Sequence, residues 1–372
     1  MTPRSLSAIS LLFIYLFGSI AYAAPADDRP TRIRIGALMP LTGEFAMPAS
    51  AFREGIELAL EHVNATGGIN GQRLEVLIED TRSDPKTIAS IASKFVHLDK
   101  VIAAITTSYP ETEIGGGIFQ AAKIPSLALW DSSPQIDSMG DYVFAIGPWT
   151  PSDAEVSAGF AIKQLKSRKA VVLNTVEHWS ELVADLFEKE FSEHGGSVVG
   201  RFKHNPGESD FRTILSRVRA LNPEVIYAPL ASDVLAFHKQ RRDAGIVIPV
   251  ISSGIISDEH VRQGGVILEG VFQSQIADPS RTETQELARL YKSKFGRDLS
   301  MAWYVATGFD SVNLYASALR KVGASSERIK DYLYSIQDFP GAAQSITISP
   351  GGSSPYLVNM FKIENGTFKR VM

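Results

Sequence analysis

Short apolar runs alternate with amphipathic stretches along almost the whole chain. Arg32–Leu38 is an apolar run closed by Met39-Pro40, which predicts a strand buried in a sheet. Phe52, Ile56, Leu60 and Val63 then recur at spacings of three and four, with Arg53, Glu57 and Glu61 between them. That spacing predicts a helix with one apolar and one wet face. Asn64–Gly71, rich in glycine, stops it, because glycine takes the left-handed turn a helix end needs. Arg73–Asp80 is the second strand. Strand, helix, strand is a βαβ unit, and its repetition predicts an α/β fold with parallel central sheets covered by helices on both faces.

The repetition continues. Strands are predicted at Val101–Thr106, Ser126–Trp130 and Asp141–Ile146, and a helix at Glu111–Ala122. Gly147-Pro148-Trp149-Thr150-Pro151 interrupts the pattern with two prolines and marks a crossing between lobes. Ser152 and Glu155 form a capping box for the next helix. A second set follows, with strands at Ala170–Asn174, Ser197–Phe202, Val225–Ala228, Val247–Ser252 and Val271–Ile276. Its helices are Glu181–His194, the stretch lined by Phe211, Ile214, Leu215 and Val218, and Val234–Ala244. Three helices come next, Thr282–Phe295, Met301–Val322 and Ser325–Gln337. The tail is β-like over Gln344–Ser349, Tyr356–Ile363 and Thr367–Val371, with Asn365-Gly366 as a hairpin turn.

The first residues change the picture. Met1–Ala23 carries one basic residue, Arg4, then an apolar core over Leu11–Ile20, then Ala21-Tyr22-Ala23. This is the layout of a secretory signal cut after Ala23. Its apolar core is too short for a bilayer, which needs about 20 residues. With no cysteine in the chain, neither lipid anchoring nor a disulfide framework is open to the exported product. Removing Met1–Ala23 takes away Arg4 alone, so the formal charge goes from −4 to −5. No Lys/Arg cluster interleaves with aromatics, so nucleic acid is not expected as a partner.

Two stretches of the first half carry candidate chemistry. Thr106-Thr107-Ser108-Tyr109-Pro110-Glu111 and Trp130-Asp131-Ser132-Ser133-Pro134 each run from a strand into a helix start. Hydroxyls beside free helix N–H groups either hold a ligand's acceptor group or simply cap the helix. Trp179 shares a helix face with Val183 and Leu186, so it either meets a ligand or joins a core. Glu111 and Glu113 suit the helix dipole but weaken attraction for an anion. The seven histidines form no metal-binding pair, and neither a G-x-S-x-G elbow nor a P-loop occurs. Gly115-Gly116-Gly117 does not fit the dinucleotide pattern, so no enzyme, metal or cofactor is expected.

Ile33–Leu38, Leu41-Thr42-Gly43, Gly67-Gly68-Ile69-Asn70-Gly71 and Glu79–Pro85 follow one another in an order that resembles the branched-chain amino-acid type of periplasmic binding protein. The likeness runs on through Pro206–Phe211, Asn222-Pro223-Glu224 and Gly308-Phe309-Asp310. The resemblance implies a solute receptor of an ABC importer, monomeric and periplasmic, with a small-molecule ligand and a membrane permease as partners. It implies two Rossmann-like lobes on a three-crossing hinge, 31–147 plus 278–340 and 148–277 plus 341–372. The alternative within the same fold is a sensor that signals to a partner protein. In similar proteins the two first-lobe loops hold the ligand's carboxylate end: Ser108, with Thr107 beside it, matches the serine, Ser132 the threonine, and Trp130 a backbone carbonyl. Trp179 matches a tyrosine that stacks on the ligand. Leu230 stands where a second ligand-facing tyrosine is expected, and Gly254 where an acidic residue meets the ammonium of an amino acid. With those two departures, a carboxylate, keto acid, aromatic acid or amide is expected to bind better than an amino acid, unless Asp131 or Glu177 supplies the charge.

Overall fold

β1 (Arg32–Met39) is buried on both faces, and its alternating side chains recruit two layers of helix. In the computed structural model, which describes residues 32–43, 45–130, 133–148, 150–275, 281–354 and 358–372, Ile33, Ile35, Ala37 and Met39 pack in one core. Leu38 points the other way, into a core with Ile88, Phe95 and Phe119. The first core is closed by α1 (Ala46–Ala65), which precedes β2 (Arg73–Asp80). The second is closed by α2 (Pro85–Lys94), whose last turn widens into a π-helical segment, Phe95–Asp99. Then come β3 (Ala103–Thr106), a π-helical turn over Glu111–Gly116 that runs into α3 (Gly117–Ala121), β4 (Ser126–Ala128), α4 (Pro134–Asp137) and β5 (Val143–Ala145). The sheet is wholly parallel, in the order β2-β1-β3-β4-β5.

The second lobe repeats the plan. Its elements are α5 (Thr150–Lys163), β6 (Lys169–Thr175), α6 (His178–Glu193), β7 (Ser197–His204), α7 (Arg212–Leu221), β8 (Val225–Tyr227), α8 (Val234–Asp243), β9 (Val250–Ser253), α9 (Asp258–Gly264) and β10 (Phe272–Gln275). Val171 and Leu173 of β6 enter a core with Phe211 and Phe237, while Ala170 and Val172 enter one with Phe187 and Phe191. The chain then returns to the first core with α10 (Thr282–Phe295), α11 (Ala302–Val322) and α12 (Ser326–Tyr334), followed by the short pair β11 (Phe339–Pro340) and β12 (Ser345–Ile346). It ends as the hairpin β13 (Asn359–Glu364) and β14 (Thr367–Arg370), turning at Asn365-Gly366 with φ of 53° and 69°. The hairpin completes the second sheet, β14-β13-β10-β9-β8-β6-β7, through an antiparallel β10–β13 pair.

Three expectations change. The stretch from 341 to 354 packs with the first lobe, not the second. Ala342, Ala343, Ile346 and Ile348 fill the first core, and Ser354 N donates to Ala145 O at 2.9 Å. The helix expected to start at a Ser152 capping box begins instead at Thr150, which puts Ser152 inside its first turn. α2 was not anticipated, although Asp84 caps it by accepting from Thr87 N and Pro85 stands in its first turn. The chain passes between lobes after β5, after β10, and between 354 and 358. Met1–Ala23 and Asp278 lie outside the described residues. Among the described residues, no helix is long and apolar enough to cross a membrane.

Candidate functional site

In an α/β sheet, ligands gather beyond the carboxyl ends of the strands. At that end of β3, Thr106, Thr107 and Ser108 follow one another, all buried. Thr107 Oγ1 donates to Leu38 O at 3.1 Å, and the hydroxyls of Thr106 and Thr112 lie 2.9 Å apart. Ser108 Oγ donates to one oxygen of Glu111, and Thr81 Oγ1 donates to the other. Glu111 is fully buried. Ser108 is therefore not a side-chain cap: its hydroxyl serves a carboxylate, while its backbone oxygen accepts from Thr112 N at 3.0 Å.

Trp130, beyond β4, donates its N–H to Thr107 O at 3.3 Å and so joins the two expected loops. Its ring meets Phe45 edge-on at 5.6 Å, Tyr304 at 5.7 Å and Phe52 at 5.8 Å. Asp131 and Ser132 lie outside the described residues. Ser133 is a cap: it accepts from Ile136 N ahead of Pro134.

On the second lobe, Glu177 caps α6, accepting from Trp179 N at 3.1 Å and Ser180 N at 2.5 Å. A carboxylate tied to two backbone N–H groups is a poor ammonium partner. Trp179 is half-buried and belongs to none of the described cores. The neighbouring His178 ring stacks on Tyr109 of the first lobe, centroids 4.4 Å apart. Leu230 is buried in the second-lobe core with Val234 and Phe237, so its side chain is structural and does not face a ligand. It follows Ala228 in a tight turn, Leu230 N donating to Ala228 O at 2.9 Å, which aims it inward. Gly254 is exposed just beyond β9 with φ +55°, a conformation that disfavours any side chain there.

An unanticipated carboxylate stands beside it. Asp153, in the first turn of α5, accepts from Ser253 Oγ at 2.8 Å, Ser274 Oγ at 2.5 Å and the Tyr227 hydroxyl at 3.3 Å. Burial raises its pKa against the lowering effect of those hydroxyls. Asp153 thus ties the helix after the first crossing to β8, β9 and the strand before the second. Sequence reasoning also missed Phe45, Tyr304 and His178. The Ser108–Glu111 spacing of three was a usable signal, but Thr81 and Asp153 find their partners only through tertiary structure.

The family described as "Periplasmic binding protein" matches residues 32–357. The chain belongs to this family. A Leu/Ile/Val-binding protein homolog 3 from Brucella melitensis is 23% identical over 380 residues, covering 98% of each chain. Among solved structures, a leucine-binding protein from Thermotoga maritima superposes with a TM-score of 0.82 at 23% identity, covering 91% of this chain and 98% of that one. A solute-binding protein of an ABC transporter from R. palustris, in complex with benzoate, gives 0.80 at 18%, covering 92% and 96%. The family is one of binding proteins and not of enzymes, and the R. palustris neighbour is itself named as the solute-binding protein of an ABC transporter.

Proposed function

We propose that this chain is the periplasmic receptor of an ABC importer, exported by Met1–Ala23, and that it captures one small solute between its lobes and delivers it to a membrane permease. The observation that carries the reading is the Tyr109–His178 stack. It brings the hydroxyl loop of β3, with Trp130 beside it, to the start of α6, where Trp179 stands. The crossings after β5 and β10 and before β13 act as a hinge that opens and closes this cleft. Importer is preferred to sensor because the relatives are named for solute binding and transport.

The ligand has a flat or branched apolar body, covered by Trp130, Tyr304 and Trp179, and a polar end at the Thr107-Ser108 loop. It is not a zwitterionic α-amino acid. An ammonium in a closed cleft needs an acceptor of its own, and lacking one costs several kcal/mol, about a thousandfold in affinity. Gly254 supplies no side chain, and among the described residues the carboxylates of Glu111, Glu177 and Asp153 are already engaged. Thermal-shift titration of leucine and phenylalanine against their des-amino acids and amides tests this, since stabilisation follows affinity. At least one analogue is expected to bind more tightly than its amino acid. Tighter binding of the amino acids than of every analogue would end the proposal.

A further inference from the structure

α11 begins at the cleft, where the Tyr304 ring lies 5.7 Å from that of Trp130, and its later turns lead away. From Phe309 onward the helix is the floor of a groove of about 710 Å3. The first turns of α10 wall it on one side, and Tyr332 of α12 and Phe339 of β11 on the other. Sites that hold small molecules enclose about 300–1,000 Å3. The two ends of this groove carry opposite charge. Thr284 Oγ1 donates to Ala342 O at 2.7 Å, and Ala342 N donates to Asp310 at 2.7 Å, which sets the first turn of α10 at the level of Asp310. Glu283 therefore stands at that end. It meets Arg281 through Oε2 alone, at 3.3 Å, so Oε1 is open among the described residues. Glu286, one turn on, gives both oxygens to Arg289. At the far end Arg320 gives Nε and Nη2 to Gly68 O, at 3.2 and 3.1 Å, and keeps Nη1. Lys321 beside it is exposed and forms no ion pair with any described residue. Between the ends, Asn313 bonds to no described residue, while the hydroxyls of Ser317 and Tyr332 lie 2.7 Å apart.

The step from Asp310 to Arg320 covers about 15 Å of helix. An extended chain covers about 3.5 Å per residue, so about four residues bridge the two charges and a single amino acid does not. We infer that this groove is a second ligand site, separate from the cleft, and that it takes a short extended peptide with its ammonium at Glu283 and its carboxylate at Lys321 and Arg320. Both end contacts are charge-assisted hydrogen bonds. The Asn313 carboxamide carries two donors and an acceptor, and so serves the N–H and C=O of the central peptide groups. A segment inside a partner protein brings neither end charge, which makes free peptide the occupant that matches both ends.

Tetraalanine, dialanine, N-acetyl-tetraalanine and tetraalanine amide, titrated into the purified protein by ligand-observed NMR, test the site. Tetraalanine is expected to bind saturably, and dialanine and each blocked tetrapeptide at least fivefold more weakly. Lys321→Gln is expected to weaken the free acid at least fivefold and to leave the amide unchanged. Glu283→Gln is expected to weaken tetraalanine likewise and to leave the N-acetyl peptide unchanged. Neither side chain belongs to a core or to the cleft, so these losses locate the peptide in the groove. No saturable binding of tetraalanine, equal affinity for dialanine or for the blocked peptides, or unchanged affinity in Lys321→Gln overturns the assignment.

Discussion

Asp310 on α11 shows what one buried carboxylate does away from the cleft. It is 1% exposed and accepts Ala342 N–H at 2.7 Å and Ala343 N–H at 3.0 Å, which pins the 341–343 loop against the helix. Burial raises its pKa to about 7, although the two N–H groups favour the charged form. The folded chain therefore holds a proton that the unfolded chain releases between the ordinary value of 3.8 and about 7. The contribution to stability is greatest below that window and is lost as pH rises through it. Melting temperatures of the wild type and Asp310→Asn, measured from pH 5 to 8, are expected to diverge most at the acid end. A difference that stays flat across the range would refute the shift. Residues of this kind were only half legible in the sequence. Glu111 lies three residues from Ser108, and that spacing was visible, but its second partner, Thr81, is thirty residues earlier. Asp153 bonds to side chains 74, 100 and 121 residues away, which no local pattern encodes.

Among elements, α1 and α11 come together through two glycines. A Cβ on Gly55 would lie 2.0 Å from Val305 O, and one on Gly308 would lie 2.2 Å from Phe52 O. Backbone cannot yield as a side chain can, so Gly308→Ala is expected to cost about 3 kcal/mol. Urea denaturation would register this as a lower midpoint; an unchanged midpoint would refute the tight crossing. The same contact sets Phe52 against Trp303 and Tyr304, at 5.8 and 5.2 Å, so the variant should also weaken ligand binding. Most elements were legible because buried parallel strands read as apolar runs and surface helices as periodic ones. The strand ends were less so: β4 stops at Ala128 and β5 at Ala145, short of Trp130 and Ile146, because loop residues there are as apolar as the strands. α5 starts before its apparent serine cap, a boundary that periodicity leaves open by a few residues.

The whole molecule is two lobes whose described strand-end loops touch at Tyr109 and His178. A stacked pair of this kind contributes about 0.5–1.5 kcal/mol, enough to shift an open–closed balance several-fold. His178→Ala is expected to raise the radius of gyration of the ligand-free protein in small-angle scattering and to speed ligand release. Identical scattering curves and release rates would rule out a role for the stack in closure. The two-lobe plan was readable from the alternation of strand and helix, but the allegiance of 341–354 was not, since its apolar residues fit either core. The order in which the chain is made gives the C-terminal hairpin a further meaning. β10 gains its second neighbour only when β13 arrives, and the first core is unfinished until α11, α12 and Ile348 are present. Neither lobe can close on a partial chain, so a nascent polypeptide lacking its last residues has both cores still open, and the two lobes reach their final packing together at the end of synthesis.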